Sequence, residues 1–188
     1  ANTLVFYRAV ELYADNTDGQ GLVADLQSTG GVRLAGTRIC LLGAGGAAAG
    51  VLGALLRAEP VSLVIANRTR ERAGQLAESH ADLGRVDVCS PDNVGANGPF
   101  DLVINATSLG HEGGAPDIDP GWLEPGGLVY DMNYGQAAQP LLRQCEVRGI
   151  RYADGLVMLV GQAALSFRLW TGISPDPSLV LKQLRSES

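Results

Sequence analysis

The chain is short of the features that several functions require. Lys and Arg number 14 against 20 Asp and Glu, so the net charge is −6, and the pI lies near 4.8. An acidic chain offers no broad positive field to a phosphate backbone, which excludes bulk nucleic-acid binding. No apolar run reaches the ~18 residues that a membrane-spanning helix needs, so no membrane partner is expected. Cysteine is scarce: Cys40, Cys89 and Cys145 are odd in number, widely spaced and set among apolar neighbours. They read as reduced thiols in a cytoplasmic protein, with neither a disulfide framework nor a metal site. No internal repeat or low-complexity tract is evident. What remains is a globular chain of 188 residues, 46% apolar and 18% charged. That is enough for one good core, or for one domain and part of another.

The first residues, "ANTLVFYRAVELYADNTDG", carry no initiator Met, no signal-peptide pattern and no polar lead. They read as a strand and loop entered partway, and the protein is expected to extend upstream. "DGQGLVADLQSTG" then places Leu22, Val23 and Leu26 at helical spacing before a glycine stop. Four segments read as short strands buried on both faces, the kind found in parallel sheets: "RICLLG" (38–43), "VSLVIAN" (61–67), "DLVINAT" (101–107) and "GLVYDM" (127–132). "VDVCS" (86–90) is a weaker fifth. Amphipathic stretches such as "AAAGVLGALLRAE" and "TRERAGQLAESH" lie between them, and "GPFD" and "LEPGG" read as loop punctuation. Strands alternating with helices predict an α/β, doubly wound Rossmann-like parallel sheet with right-handed crossovers. The tail differs: "DGLVMLVGQAALSFRLWTG" (154–172) is one long apolar helix, and "SPDPSLVLKQLRSE" supplies a second with Pro near its start. No strand follows either, so both are expected to leave the nucleotide domain and pack elsewhere.

"LLGAGGAAAGVLGALL" sets Gly43, Gly45 and Gly46 between a strand and a helix. Glycines there permit a tight turn and let backbone N–H groups approach a pyrophosphate at the helix N-terminus. The spacing is not a strict G-x-G-x-x-G, and a turn that merely connects is the alternative. The second strand selects the dinucleotide. An NAD site usually carries Asp or Glu about 20 residues after the glycines to hold the ribose 2′-OH. Here the place belongs to Asn67, followed by Arg68, Thr69, Arg70, Glu71 and Arg72. A carboxylate would repel a 2′-phosphate, whereas guanidinium groups grip one through charge-assisted bonds. The plain alternative is a solvated basic face. Against it, cations at a helix N-terminus oppose the macrodipole at ~0.3–1 kcal/mol each, a conflict that a bound anion removes. NADP is therefore expected in preference to NAD.

Taken together, "ANTL" (1–4), "DNTDG" (15–19), "GAGGAA" (43–48), "NRTRER" (67–72), "NATSLG" (105–110), "DMNYG" (131–135) and the 154–172 segment resemble one family along the entire chain, shikimate dehydrogenase of the aromatic amino-acid (chorismate) pathway. The resemblance implies NADPH-dependent, reversible reduction of 3-dehydroshikimate to shikimate. By motif match, Asn2, Asp18, Tyr134 and Gln162 are expected to contact substrate. Gly43, Ala44, Gly45, Gly46 and Ala47, then Asn67 to Arg72, with Thr107, Met132, Gly155 and Met158, are expected to line the cofactor path. Residues 1–18 would be the remnant of a substrate domain, 19–154 the NADP-binding domain, and 155–188 helices returning toward the substrate domain, in a monomer or homodimer.

Read without the family, these residues leave alternatives open. Met158 and Gln162 are four apart and share a helix face, suited to an apolar nicotinamide contact and a polar substrate, or to core packing with one satisfied amide. Tyr134 follows a strand end, where open α/β sheets bind ligands, though a loop Tyr also simply packs. Asp18 could be the N-cap of the helix after it, and Asn2 alone carries no signal. Ketone reduction leaves an alkoxide that must gain a proton. In the family a lysine paired with the aspartate matching Asp18 supplies it, from an upstream motif that these residues lack, and the substrate-gripping serines of the family's first strand are missing too. Lys182, the only lysine, sits in the terminal helix. His80 and His111 have no motif to recommend them, and His111 stands where the family usually has Met. Residues 1–188 alone are thus expected to bind NADP without turnover. The competing readings are a non-catalytic NADP-binding paralogue, a quinate dehydrogenase, and a Rossmann domain of an unrelated reductase.

Overall fold

The computed structural model describes residues 1–7 and 11–186. The chain opens with an antiparallel pair, β1 (Thr3–Tyr7) and β2 (Glu11–Asp15), and passes into α1 (Asp18–Ser28). An alternating run follows: β3 (Arg38–Leu42), α2 (Gly46–Arg57), β4 (Ser62–Ala66), α3 (Arg70–Glu78), β5 (Asp87–Cys89) and the short α4 (Val94–Asn97). Then come β6 (Phe100–Asn105), β7 (Leu123–Asp131), α5 (Gln139–Arg148), β8 (Arg151–Asp154), α6 (Leu156–Thr171) and α7 (Pro177–Ser186). The six strands from β3 onward form one parallel sheet in the order β5-β4-β3-β6-β7-β8. The expected doubly wound α/β architecture is present, and its strand order reverses between β3 and β6. Ligands of such sheets bind at the carboxyl ends of the strands beside that reversal.

Both faces of the sheet are covered, which explains the unbroken apolar runs of its central strands. In β3, Ile39 and Leu41 face the core shared with α1 and α2, including Leu22, Leu26, Val51, Leu52 and Leu55. Cys40 and Leu42 face the opposite core with Val129, Leu141 and Cys145. Neighbouring side chains along one strand therefore serve different layers. Tyr130, 1% exposed, reaches from β7 to α1 and donates its hydroxyl to Asp25 Oδ2 at 2.7 Å. That bond satisfies a carboxylate buried inside a helix.

Three details depart from expectation. "LEPGG" is not a loop: it belongs to β7, and a register shift between Phe100 and Leu102 absorbs it, with Gly126 at φ +82°. Only glycine takes that backbone conformation without strain. β8 has no sequence signal, because "RYAD" is a short edge strand with no apolar run. The pairing of β1 with β2 has no sequence signal either, because apolar residues occupy both faces of β1 and Leu4, Phe6, Leu12 and Tyr13 are exposed. α6 begins in the core with Met158 and runs out along α1 to β1, where Trp170 Nε1 donates to the Leu4 carbonyl at 2.9 Å.

Candidate active site

A cleft of about 1360 Å³ lies along the carboxyl ends of the parallel strands. Each strand contributes the residues at its end: Leu42 and Gly43 after β3, Ala66 to Arg68 after β4, Ser90 to Asp92 after β5, Ala106 and Thr107 after β6, and Met132 to Tyr134 after β7. The start of α6 closes one side with Gly155, Met158, Leu159 and Gln162.

The glycine turn is built to be approached. Gly43 donates its N–H to the Ala66 carbonyl at 2.9 Å, extending the β3–β4 ladder by one bond, and leaves the strand at φ +105°. A Cβ added at Gly45 or Gly46 would meet nothing within 4 Å; the space beside both is open. No side chain caps α2, whose first turn holds no acid. Its unpaired N–H groups and positive dipole end therefore face the cleft where Gly45, Gly46 and Ala47 line it.

At the end of β4, Asn67 Nδ2 donates to the Thr69 carbonyl at 2.7 Å and shapes the turn into α3. Arg68 lines the cleft, whereas Thr69, Arg70, Glu71 and Arg72 follow it on the exposed start of α3 and do not. Among the described residues the ion pairs are Arg85 with Asp87 and Arg148 with Asp117. None of the three arginines after Asn67 is in either.

The far end is polar and cross-braced. Asn2 Nδ2 donates to Asp18 Oδ1 at 2.7 Å, to Thr17 Oγ1 at 3.0 Å and to Gln162 Oε1 at 3.2 Å. Behind them the buried hydroxyls of Thr3 and Ser166 sit 2.6 Å apart, and Thr17 Oγ1 lies 3.1 Å from Ser166 Oγ. Asp18 and Gln162 line the cleft; Asn2 joins them from behind. Asp18 does not cap α1: it is the first helical residue, and its carboxylate turns to Asn2 while Asn16 Oδ1 accepts the Asp18 N–H at 2.9 Å. Met158 and Gln162 do share the face of α6 that borders the cleft, and Tyr134, 46% exposed, flanks it. His111 lines it too, from the turn Leu109–Glu112.

Several lining residues escaped the sequence, among them Ser90, Asp92, Trp122 and Asn133. Ser90 and Asp92 follow β5, so the strand-end rule alone would have found them. Asn133 follows β7 in the same way, whereas Trp122 comes from a turn whose folding no local pattern gives. Burial dominates the electrostatics beneath the cleft floor. It raises the pKa of Asp131 above the ordinary carboxyl value, against hydrogen bonds from Asn133 and Asn105 that lower it. Burial also pushes the Cys145 thiol up to about 11, with Asp131 adding to the shift. All three cysteines are free and buried, which makes them inert thiols. Among the described residues no cluster of side chains is arranged to hold a metal, and no helix is long and apolar enough to cross a membrane.

The family model described as shikimate / quinate 5-dehydrogenase matches residues 25–111, and that of the shikimate 5'-dehydrogenase C-terminal domain matches residues 155–185. The shikimate dehydrogenase (NADP(+)) of Acidovorax ebreus is 48% identical over 189 aligned residues, covering 99% of this chain and 67% of that protein. The crystal structure of the Ael1 enzyme from Pseudomonas putida superposes with a TM-score of 0.81 at 36% identity, covering 96% of this chain and 66% of that one. The shikimate 5-dehydrogenase of Thermus thermophilus, solved in complex with NADP(H) and shikimate, gives a TM-score of 0.75 at 32% identity, covering 93% of this chain and 63% of that one. The chain thus spans about two thirds of the length of the relatives it matches.

Proposed function

The chain belongs to the shikimate dehydrogenase family, and from that premise we propose that it serves the NADPH-dependent, reversible reduction of 3-dehydroshikimate to shikimate in the cytoplasm, within chorismate biosynthesis. One observation carries this: Asp18 and Gln162, braced by Asn2, share a single cleft with an open glycine turn and Arg68.

The residues fit the cofactor. The space that a Cβ would fill at Gly45 and Gly46, at the uncapped start of α2, suits a pyrophosphate. Arg68, with Arg70 and Arg72 beside it, would hold the ribose 2′-phosphate. Thr107, Met132, Gly155 and Met158 line the same cleft and would border the nicotinamide, with Tyr134 beside the substrate. NADPH, when bound, supplies the hydride. Asp18 and Gln162 orient the substrate hydroxyls, held in place by Asn2 and the hydroxyls of Thr3, Thr17 and Ser166.

The alkoxide formed on ketone reduction needs a proton donor within hydrogen-bond reach. Lys182 lies on α7, outside the cleft lining. On this reading the proton comes from a lysine preceding residue 1 and paired with Asp18, so that residues 1–188 alone bind NADP without turnover. The division 1–18, 19–154 and 155–188 is supported by apolar side chains that β1, β2 and the end of α6 leave exposed, such as Phe6 at 76% and Trp170 at 57%. They suit a face that a substrate domain would cover.

The test is an initial-rate assay of full-length protein with shikimate and with quinate, each with NADP and with NAD. Shikimate with NADP is expected to give the highest kcat/KM. Absence of shikimate oxidation, or faster oxidation of quinate, contradicts the assignment.

A further inference from the structure

The ends of β6 and β7 are joined by one carboxylate that does not line the cleft. Asn105 and Asp131 close these strands in direct register. Asp131 Oδ1 accepts three N–H groups: Asn105 Nδ2 at 2.9 Å, the Asn133 backbone N–H at 3.0 Å and Asn133 Nδ2 at 2.8 Å. Asn105 Oδ1 in turn accepts the Thr107 N–H at 3.1 Å and the Thr107 hydroxyl at 2.7 Å. Asn133 Nδ2 also reaches the Thr107 carbonyl at 3.2 Å, and the Met132 N–H donates to the Asn105 carbonyl at 2.9 Å. Asn105 and Asp131 are each 1% exposed. The loops they carry also touch: a Cβ at Gly110 would fall 2.1 Å from the Ala137 carbonyl oxygen.

This arrangement is costly for a role in stability alone. Burying a carboxylate carries a desolvation penalty, and among the described residues Asp131 Oδ2 has no hydrogen-bond partner. An apolar residue would join two strand ends without that penalty. What an apolar residue cannot do is hold polar groups on two loops at once, Asn105 with its bonds to Thr107 on one side and Asn133 on the other.

We propose that Asp131 is a positioning residue: through Asn105 and Asn133 it holds the loops after β6 and β7 in the one arrangement that receives the nicotinamide half of the dinucleotide. The inference rests on the cofactor assignment above and deepens it. The adenosine half is held elsewhere, by the glycine turn after β3 and by Arg68 after β4, so the two halves of the ligand report on different walls.

The experiment uses full-length protein and two probes, NADP and adenosine 2′,5′-bisphosphate, titrated by calorimetry. Asp131→Ala is expected to raise the NADP dissociation constant about tenfold and to leave that of the bisphosphate within about twofold, with kcat falling at least as far as NADP affinity. Asp131→Asn, which keeps one oxygen for the three donors, is expected to restore NADP binding to within about threefold of wild type. Should Asp131→Ala not fold, Asn105→Ala keeps the carboxylate, releases Thr107 and is read the same way. Equal weakening of both probes, or no change in either, overturns the positioning role. Wild-type protein that binds neither probe overturns the cofactor assignment as well, which separates the two failures.

Discussion

Asp18 and Asp131 are two carboxylates with opposite surroundings, and they predict opposite behaviour. Asp18 is half-buried and lines the cleft, with one side-chain donor, the Asn2 amide, among the described residues. In full-length protein, Asp18→Asn is expected to lower kcat by about 10²-fold, the scale of a lost acid–base partner. NADP binding should be unchanged, which titration of the same variant checks. Asp131 is buried, and its raised pKa links it to stability. Above its ordinary value of 3.8 the unfolded chain has lost the proton that the folded protein still retains, so stability falls as pH rises from there through the folded-state pKa. Asp131→Asn removes the titration. Thermal melts should therefore show the variant gaining on wild type as pH rises above about 4; a gain that is the same at every pH would contradict the linkage. At this scale the sequence was partly legible. Arg68 and Gly45 announce themselves by residue type in a strand–turn–helix context. Asn105 and Asp131 lie inside the quoted stretches "NATSLG" and "DMNYG", yet their bond joins residues 26 apart in sequence, which no local pattern encodes.

Among the elements, α1 is the one on which the site depends, because it touches both α2 and α6. It does so through glycine. A Cβ at Gly19 would lie 2.6 Å from Ala54 Cβ, and one at Gly21 would lie 3.0 Å from both Gln162 Cβ and the Met158 carbonyl oxygen. Gly21→Val is therefore expected to cost about 1–3 kcal/mol through overpacking. Because the contact is with Gln162, it should also raise KM for shikimate more than KM for NADP. Melts and initial rates check the two effects separately; a loss of stability with both KM values unchanged would mean that α6 yields without moving its amide. The central strands were readable because burial on both faces leaves an apolar signature. β8 and the β1–β2 pair were not, since an exposed edge strand takes its conformation from its partner rather than from its own residues. "LEPGG" misled for a related reason: it has turn composition, but its ladder with β6 resumes beyond the bulge.

For the whole molecule, the contrast that matters is an acidic protein whose cleft is lined by Arg68, an arginine in no ion pair among the described residues. The net charge is −6, so an anionic ligand is repelled at long range and held only by local geometry. Binding through exposed guanidinium groups should weaken as salt rises, because screening shortens to ~8 Å at physiological ionic strength. NADP affinity is expected to fall between 50 and 500 mM NaCl more steeply than NAD affinity, by titration in both buffers. The most direct test of cofactor choice is the pair of dissociation constants for NADP and NAD measured on wild type and on Arg68→Ala. Wild type should prefer NADP, and the variant should lose about tenfold in NADP affinity, the ~1.5 kcal/mol of one charge-assisted hydrogen bond, while NAD binding barely moves. Equal affinities in the wild type, or equal losses for both dinucleotides in the variant, would contradict the assignment of these arginines to a 2′-phosphate.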